Sequence, residues 1–252
     1  MLAEERRLTL LEWTLTEGRV DAAEAAKRLD VAVETIRRDL DALQRKGSLR
    51  RVHGGAIAAT LQNRELNMPE RRMKNTDKKF RIAEFAATFL PNEGSVFVDG
   101  GTTAGLLLGA LKLKKNLIVI TNNVELAAQL GEAENEVYLV GGRIRKTTLT
   151  TLGSRAVEEF SNYRASISFL GANGFSPTSG FTTTDPDEAA VKKVMIANSL
   201  ERIVLADSTK MGAVYATAFA NTDVIDKLIT DDGIAKSAID AFVAAGVDVV
   251  TT

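Results

Sequence analysis

The stretch from Val31 to Ala56, VAVETIRRDLDALQRKGSLRRVHGGA, constrains the fold more than any other part of the chain. Ile36, Leu40 and Leu43 fall at i, i+4 and i+7 and form one apolar stripe along a helix. Arg37, Arg38, Asp41 and Arg45 project from the other side. Gly47 stands where a helix-ending glycine is expected. Leu49 to Val52 then reads as a short strand, with His53-Gly54-Gly55 as the turn after it. From Ile36 to His53, six basic residues (Arg37, Arg38, Arg45, Lys46, Arg50, Arg51) oppose two acids, Asp39 and Asp41, in a chain whose net charge is −1. Such a patch suits DNA, because each phosphate it neutralises releases counterions.

A basic helix alone is more often a solvated face, so the preceding segment decides its meaning. Ala3 to Thr16 reads as a helix with Leu8, Leu11 and Leu15 on one side and Trp13 as a core or interface anchor, ended by Gly18. Asp21 and Glu24 have capping-box spacing before a short helix through Leu29. Asp30-Val31-Ala32 makes the turn into the basic helix. Short helix, tight turn, basic helix and basic hairpin is the layout of a winged helix-turn-helix. Its second helix would enter the major groove, with Thr35, Arg37 and Arg38 within reach of base edges or phosphates. Arg45, Arg50 and Arg51 would add backbone contacts. His53 has two readings, a wing-turn residue bonded to backbone or a phosphate contact.

The chain's 252 residues allow one large domain, or a small and a medium one. With no cysteine and one histidine, disulfides and thiolate metal sites are excluded, and neither a catalytic role, a metal nor a cofactor is expected. No apolar run approaches the ~20 residues that span a bilayer. The opening MLAEERRL lacks the apolar core of a signal peptide, so a cytoplasmic location is expected.

ETIRRDLDALQRKGSLRRVHGGA resembles the DNA-binding signature of the DeoR-type bacterial transcriptional regulators, its TIRRDL core and RVHGGA wing together being specific. Two positions depart from that pattern. Ala32 stands where Ser usually caps the recognition helix, and Ala25 where a larger apolar residue is common.

Residues 57–75 lose periodicity, contain Pro69 and read as a linker between a DNA-binding domain (1–56) and a second domain (76–252). Arg64, Arg71, Arg72 and Lys74 in it would contact DNA, carry ligand state between domains, or simply be solvated. Arg71 has the strongest claim to more, since it lies just before the second domain.

From Thr76 on, helices alternate with strands. A helix over Lys79 to Leu90 would turn Ile82, Phe85, Ala86 and Phe89 inward, and Ala104 to Leu111 and Val124 to Leu130 read as further helices. Strands are read at Val96 to Val98, Leu117 to Ile120, Val137 to Val140, Ile167 to Leu170, Ile203 to Leu205, Lys227 to Ile229 and Val247 to Val250. This predicts a mostly parallel α/β sheet covered on both faces, with ligands at the strands' carboxyl ends. Polar residues gather there: Asp99-Gly100-Gly101-Thr102-Thr103, Thr121-Asn122-Asn123, Gly171-Ala172-Asn173-Gly174 and Asp207-Ser208-Thr209-Lys210. DGGTT before a helix has the chemistry of a phosphate cradle, though the motifs of nucleotide P-loops and dinucleotide folds are missing. Lys210 could pair with a phosphate while Asp207 accepts from hydroxyls or orients the lysine. Together the four turns suggest a small anionic, hydroxylated ligand.

The resemblance continues through VFVDGGTT, ITNN, VYLVGG, FLGANGF, DEAAVKKVMI and ADSTK, in the order of DeoR-type sensor domains. It implies a fold like ribose-5-phosphate isomerase adapted to bind a sugar-phosphate effector, with fructose phosphates a first guess. DGGTT would hold the phosphate, and Lys79, Asp207 and Lys210 would sense the ligand. Glu188 and Lys192, at i and i+4, read first as a helical ion pair near Asp185. The expected function is a sequence-specific transcription factor, a repressor of carbohydrate genes acting on double-stranded DNA as a homodimer or homotetramer. The rivals are a sugar-phosphate isomerase with an accessory domain and a nucleoid-type protein without an effector.

Overall fold

The computed structural model describes residues 3–17, 19–45, 49–52, 54–58 and 68–252. Gly18, Lys46, Gly47, His53 and Arg64 lie outside the described residues, as do the side chains of Leu15, Arg45 and Arg50.

The N-terminal part consists of α1 (Ala3–Glu17), β1 (Arg19–Asp21), α2 (Ala22–Leu29), α3 (Val33–Arg45), β2 (Leu49–Val52) and β3 (Gly55–Ala58). Ile36, Leu40 and Leu43 of α3 are buried against Leu10, Ala25, Ala26 and Leu49, so the stripe read from spacing is the core face. Asp21 caps α2 by accepting from the amides of Ala23 and Glu24 at 2.8 and 3.0 Å. Alone in this region β1 was illegible. It lies antiparallel to β3 and makes the wing a three-stranded sheet. Gly55 follows from that pairing, because a Cβ there would meet the Val20 carbonyl oxygen at 1.9 Å.

The inward face of α1 differs from the expected one. Leu10 is fully buried and Leu8 is 64% exposed. The helix is rotated because Thr14 can share the buried side: its hydroxyl donates to the Leu10 carbonyl at 2.7 Å, so no polar group is left unsatisfied. On the same helix Arg6 and Arg7 hold the buried Asp39 of α3 at 2.6 and 2.7 Å. Trp13 packs against the core, with the Arg28 guanidinium 3.6 Å over its ring.

The remainder runs α4 (Met68–Met73), α5 (Thr76–Ala86), β4 (Glu93–Val98), α6 (Leu108–Lys112), β5 (Asn116–Thr121), α7 (Val124–Leu130), β6 (Glu136–Leu139), β7 (Arg143–Arg145), β8 (Thr150–Leu152), α8 (Ser154–Ser161), β9 (Ala165–Gly171), β10 (Gly174–Ser176), β11 (Gly180–Thr183), α9 (Pro186–Ala197), β12 (Ser199–Leu205), β13 (Thr217–Ala220), β14 (Lys227–Thr230), α10 (Lys236–Ala244) and β15 (Asp248–Thr251). Seven strands form one parallel sheet in the order β15-β14-β12-β9-β4-β5-β6. Its strands are apolar on both faces, and neighbours in β4 divide between two cores. Phe97 joins Phe160, Phe175 and Phe242, while Val96 and Val98 join Ile82, Leu107 and Leu117 on the opposite face.

Several boundaries moved. The helix expected at Lys79 to Leu90 is α5 followed by a 3-10 turn, and Phe85 lies 38% exposed on its outer side, beside the Phe89 ring. Residues 104–107 are a 3-10 turn before α6. The segment read as a linker contains the end of β3 and all of α4, whose Met68 is buried and donates its amide to the Thr147 carbonyl at 3.1 Å. The β7–β8 hairpin and the small β10-β11-β13 sheet, all antiparallel, lie outside the strands expected from sequence.

Candidate functional site

On α3, Arg37 and Arg38 are solvent-exposed near the helix start and Thr35 is half-buried. Arg37 lies 3.3 Å from Glu34, an exposed pair that is easily given up. Arg51 is held more firmly, its guanidinium bonding Asp41 at 2.9 Å and the Gly55 carbonyl at 2.8 Å. The open face of α3 therefore presents exposed guanidinium groups at its N-terminal end, and Arg51 braces the wing against the helix.

The parallel sheet creates the second site by its connectivity. The chain runs outward from β4 through β5 to β6, then crosses back to lay β9 on the other side of β4. Loops leaving β4 and β9 must diverge, and ligands bind in the crevice opened at such a reversal. At its floor the two backbones are pressed together: a Cβ on Gly101 would lie 3.4 Å from the Gly171 Cα. Asp99 accepts from the Gly171 amide at 2.9 Å and is paired with Lys192, whose ammonium also donates to the Gly171 carbonyl at 2.9 Å. Lys192 thus clamps β4 to β9. The ion pair read between it and Glu188 is corrected: Glu188 accepts from the Thr183 hydroxyl at 2.5 Å, because α9 turns both residues into the protein rather than along its surface.

Around this floor the other residues of the four turns converge. Gly100 is forced by the neighbouring hairpin, since a Cβ there would meet Thr150 Cγ2 at 1.9 Å. Thr102 and Thr103 are buried, and among the described residues the Thr103 hydroxyl has no hydrogen-bond partner. The same holds for Asn122 Oδ1, whose amide nitrogen donates to the Thr151 carbonyl at 3.3 Å. Thr121 differs, because its hydroxyl is taken up by the Val98 carbonyl at 2.6 Å and the Asn123 amide at 3.0 Å. The Asn173 side chain lies 3.1 Å from the Thr183 hydroxyl, whose proton goes to Glu188.

Lys210 leaves the turn after β12 and donates to the Ala172 carbonyl, at the end of β9, at 2.8 Å. Burial first, then the Arg71 guanidinium, pushes its pKa down to about 7, with Lys79 and Lys192 adding to the fall and Asp207 opposing it. Burial likewise lowers the pKa of Lys79, again opposed by Asp207. Asp207 is itself buried. Four cations and two carboxylates thus share one crevice, where an added anion would relieve the mutual repulsion of the cations. Among the described residues no group of three or more His, Cys, Asp or Glu is placed to hold a metal.

Several contributors were not placed in this crevice by the sequence reading, although it singled out Arg71 in the linker. Lys192 could be found only once β4 and β9 were known to be neighbours. Thr148 to Thr151 belong to a hairpin that no periodicity announced. Arg71 and Asn75 come from the supposed linker. A cleft of about 240 Å³ opens beside the DGGTT turn, walled by Met68 and Arg72 of α4 on one side and Asn123 and Glu125 on the other, with Arg72 and Glu125 paired across it.

Residues 6–62 match the DeoR-like helix-turn-helix domain and residues 74–232 the DeoR C terminal sensor domain. The chain is similar to the HTH-type transcriptional regulator FruR of Bacillus subtilis, at 35% identity over 92% of each chain. It is also similar to the HTH-type transcriptional regulator GlpR of Haloferax volcanii, at 32% identity over 99% of this chain and 98% of that one. The glycerol-3-phosphate regulon repressor of Escherichia coli is 29% identical over 92% of each. A ribose 5-phosphate isomerase A from Methanocaldococcus jannaschii superposes on 56% of each chain with a TM-score of 0.42 and 18% identity, a likeness too distant to bear on function. With both of its parts matched and its relatives aligned nearly end to end, this chain belongs to the DeoR family of transcriptional regulators.

Proposed function

We propose that the protein is a cytoplasmic repressor of carbohydrate genes whose β4/β9 crevice binds a phosphorylated sugar, and that occupancy of the crevice sets the affinity of its winged helix for an operator. The observation that carries this reading is the convergence of Lys79, Lys192, Lys210 and Arg71 at the switch point between β4 and β9. A phosphate supplies negative charge to set against these cations, and sugar hydroxyls supply donors for Asn122 Oδ1. A relative is named as the repressor of the glycerol-3-phosphate regulon, and glycerol 3-phosphate is a small phosphorylated, hydroxylated compound.

Thr35, Arg37 and Arg38 are assigned to the operator. Asp99, Gly100, Gly101, Thr102, Thr103, Asn122, Asn173, Asp207 and the lysines are assigned to the effector, with Thr121 shaping the turn. Each recognition helix reads one half-site, so a two-fold operator calls for at least a homodimer. An isomerase would need a carboxylate base facing the sugar. Asp99, Glu188 and Asp207 are instead each committed to fixed hydrogen bonds with neighbouring groups.

The test is fluorescence anisotropy with the promoter of the protein's own gene at fixed salt, titrated with fructose 1-phosphate, fructose 6-phosphate, glycerol 3-phosphate and deoxyribose 5-phosphate. One compound is expected to shift the operator curve without being consumed. Turnover of ribose 5-phosphate, or failure to bind specific DNA, overturns the reading.

A further inference from the structure

Asn75 occupies the joint between α4 and α5, and its backbone is left-handed, with φ 55° and ψ 39°. It stands at the N-cap of α5, yet its side chain makes no capping bond. The amide nitrogen instead reaches across the chain to Asp207 Oδ1 at 2.9 Å and Thr209 Oγ1 at 3.0 Å. The same Asp207 oxygen accepts from the Thr209 amide and hydroxyl, so this buried carboxylate is aimed by the joint on one side and its own turn on the other. Its charge in turn favours the ammonium forms of Lys79 and Lys210. Lys79 closes the circuit, donating to the carbonyl of Arg71 in α4. The segment that leads from the DNA-binding domain is therefore fastened to the crevice at Asp207 and at Lys79.

We propose that Asn75 is a positioning residue that couples the crevice to the DNA-binding domain: its amide latches the α4–α5 joint to Asp207, and an anion bound beside Lys79 and Lys210 loosens that latch. The effector half of this inference rests on the proposed function. An incoming phosphate takes over the two ammoniums that Asp207 now attracts and repels its carboxylate. Asp207 then shifts away from the crevice, and the Asn75 amide loses its acceptor. A ligand moves an equilibrium only through a difference in its affinity for two states, and here the difference lies in whether Asp207 and the ligand must share the same cations. Asparagine suits the position because it tolerates left-handed backbone and carries a donor at its tip.

Two substitutions keep that backbone and change only the latch. N75D sets a carboxylate against Asp207 and is expected to imitate the loaded state with no ligand present. Its operator affinity, read by anisotropy, should differ from the wild type by at least about fivefold, the lower end of ordinary allosteric coupling. N75G removes the amide and should bind inorganic phosphate, followed by calorimetry, as the wild type does, while phosphate no longer moves its operator curve. Circular dichroism melts establish that both variants fold. Wild-type operator affinity in folded N75D, or a wild-type phosphate response in N75G, overturns the latch. A wild-type protein that binds no phosphate overturns the reading of the crevice instead, and the ligand-free comparison of N75D still decides the latch.

Discussion

Arg37 and Arg38 stand in water on α3, whereas Lys79 and Lys192 of the crevice are 4% and 2% exposed. The two sets of cations are suited to opposite tasks. On the helix the charges keep their hydration and their mobility, so they can follow a polyanion along a groove, and their attraction weakens with salt. In the crevice the charges are already stripped of water and held by carbonyls and carboxylates. Burying them costs stability, and on the proposed function it preorganises the site for one small anion. On the proposed function, one chain would recognise two kinds of phosphate, a long regular one by exposed charge and a small discrete one by buried charge.

The largest effect that would sharpen this contrast is expected at the floor of the crevice. Lys192→Met leaves Asp99 buried without its partner and should cost roughly 3–5 kcal/mol in urea unfolding. Adding Asp99→Asn should recover part of the loss. A loss below about 1 kcal/mol would mean that the clamp is no stronger than a surface pair. Gly100→Ala forces a methyl group into Thr150 and should cost about 1–3 kcal/mol, with loss of effector binding in calorimetry.

Arg38→Ala should weaken operator binding by about 1–3 kcal/mol with effector binding nearly unchanged. A loss shared by non-operator DNA, with a shallower salt slope, assigns Arg38 to phosphate, and a loss confined to the operator assigns it to a base. Impaired effector binding in this variant would break the separation of the two sites.

The next effect concerns pH. With the Lys210 pKa at about 7, its ammonium form prevails below pH 7 and is lost above it. An anion binds the ammonium form, so effector affinity should fall above pH 7, by up to about 1.4 kcal/mol per unit. Proton uptake on binding should appear in calorimetry in buffers of different ionisation enthalpy. Arginines stay charged throughout this range, so Arg37 and Arg38 should give operator binding no matching fall. A flat effector profile from pH 6 to 9 would remove Lys210 from the site. Smallest of all, Ala32→Ser supplies the side-chain cap that α3 lacks and should stabilise the N-terminal domain by at most about 1 kcal/mol.

The N-terminal domain was the more legible half because its information is local. A stripe at i, i+4 and i+7, a capping aspartate and a Gly-Gly turn act within a few residues of one another. Two features there were not legible locally: the face that α1 turns inward, with Leu10 and Thr14 buried, and β1, three residues too short to carry a period. In the C-terminal half the strands were legible as apolar runs, and the polar turns at their carboxyl ends were correctly read as one rim.

By itself the sequence determined a basic helix-turn-helix with a wing, an α/β sheet buried on both faces, and DGGTT and DSTK at strand ends. Those follow from periodicity, turn chemistry and charge, which neighbours along the chain are enough to express. The tertiary structure alone decided that β9 returns to lie beside β4, and with it that Lys192 pairs with Asp99 and not with Glu188. It alone brought Asn75 to Asp207, 132 positions away. Strand order and long-range hydrogen bonds arise from how preformed elements cover one another's apolar faces. No local pattern encodes which element arrives beside which.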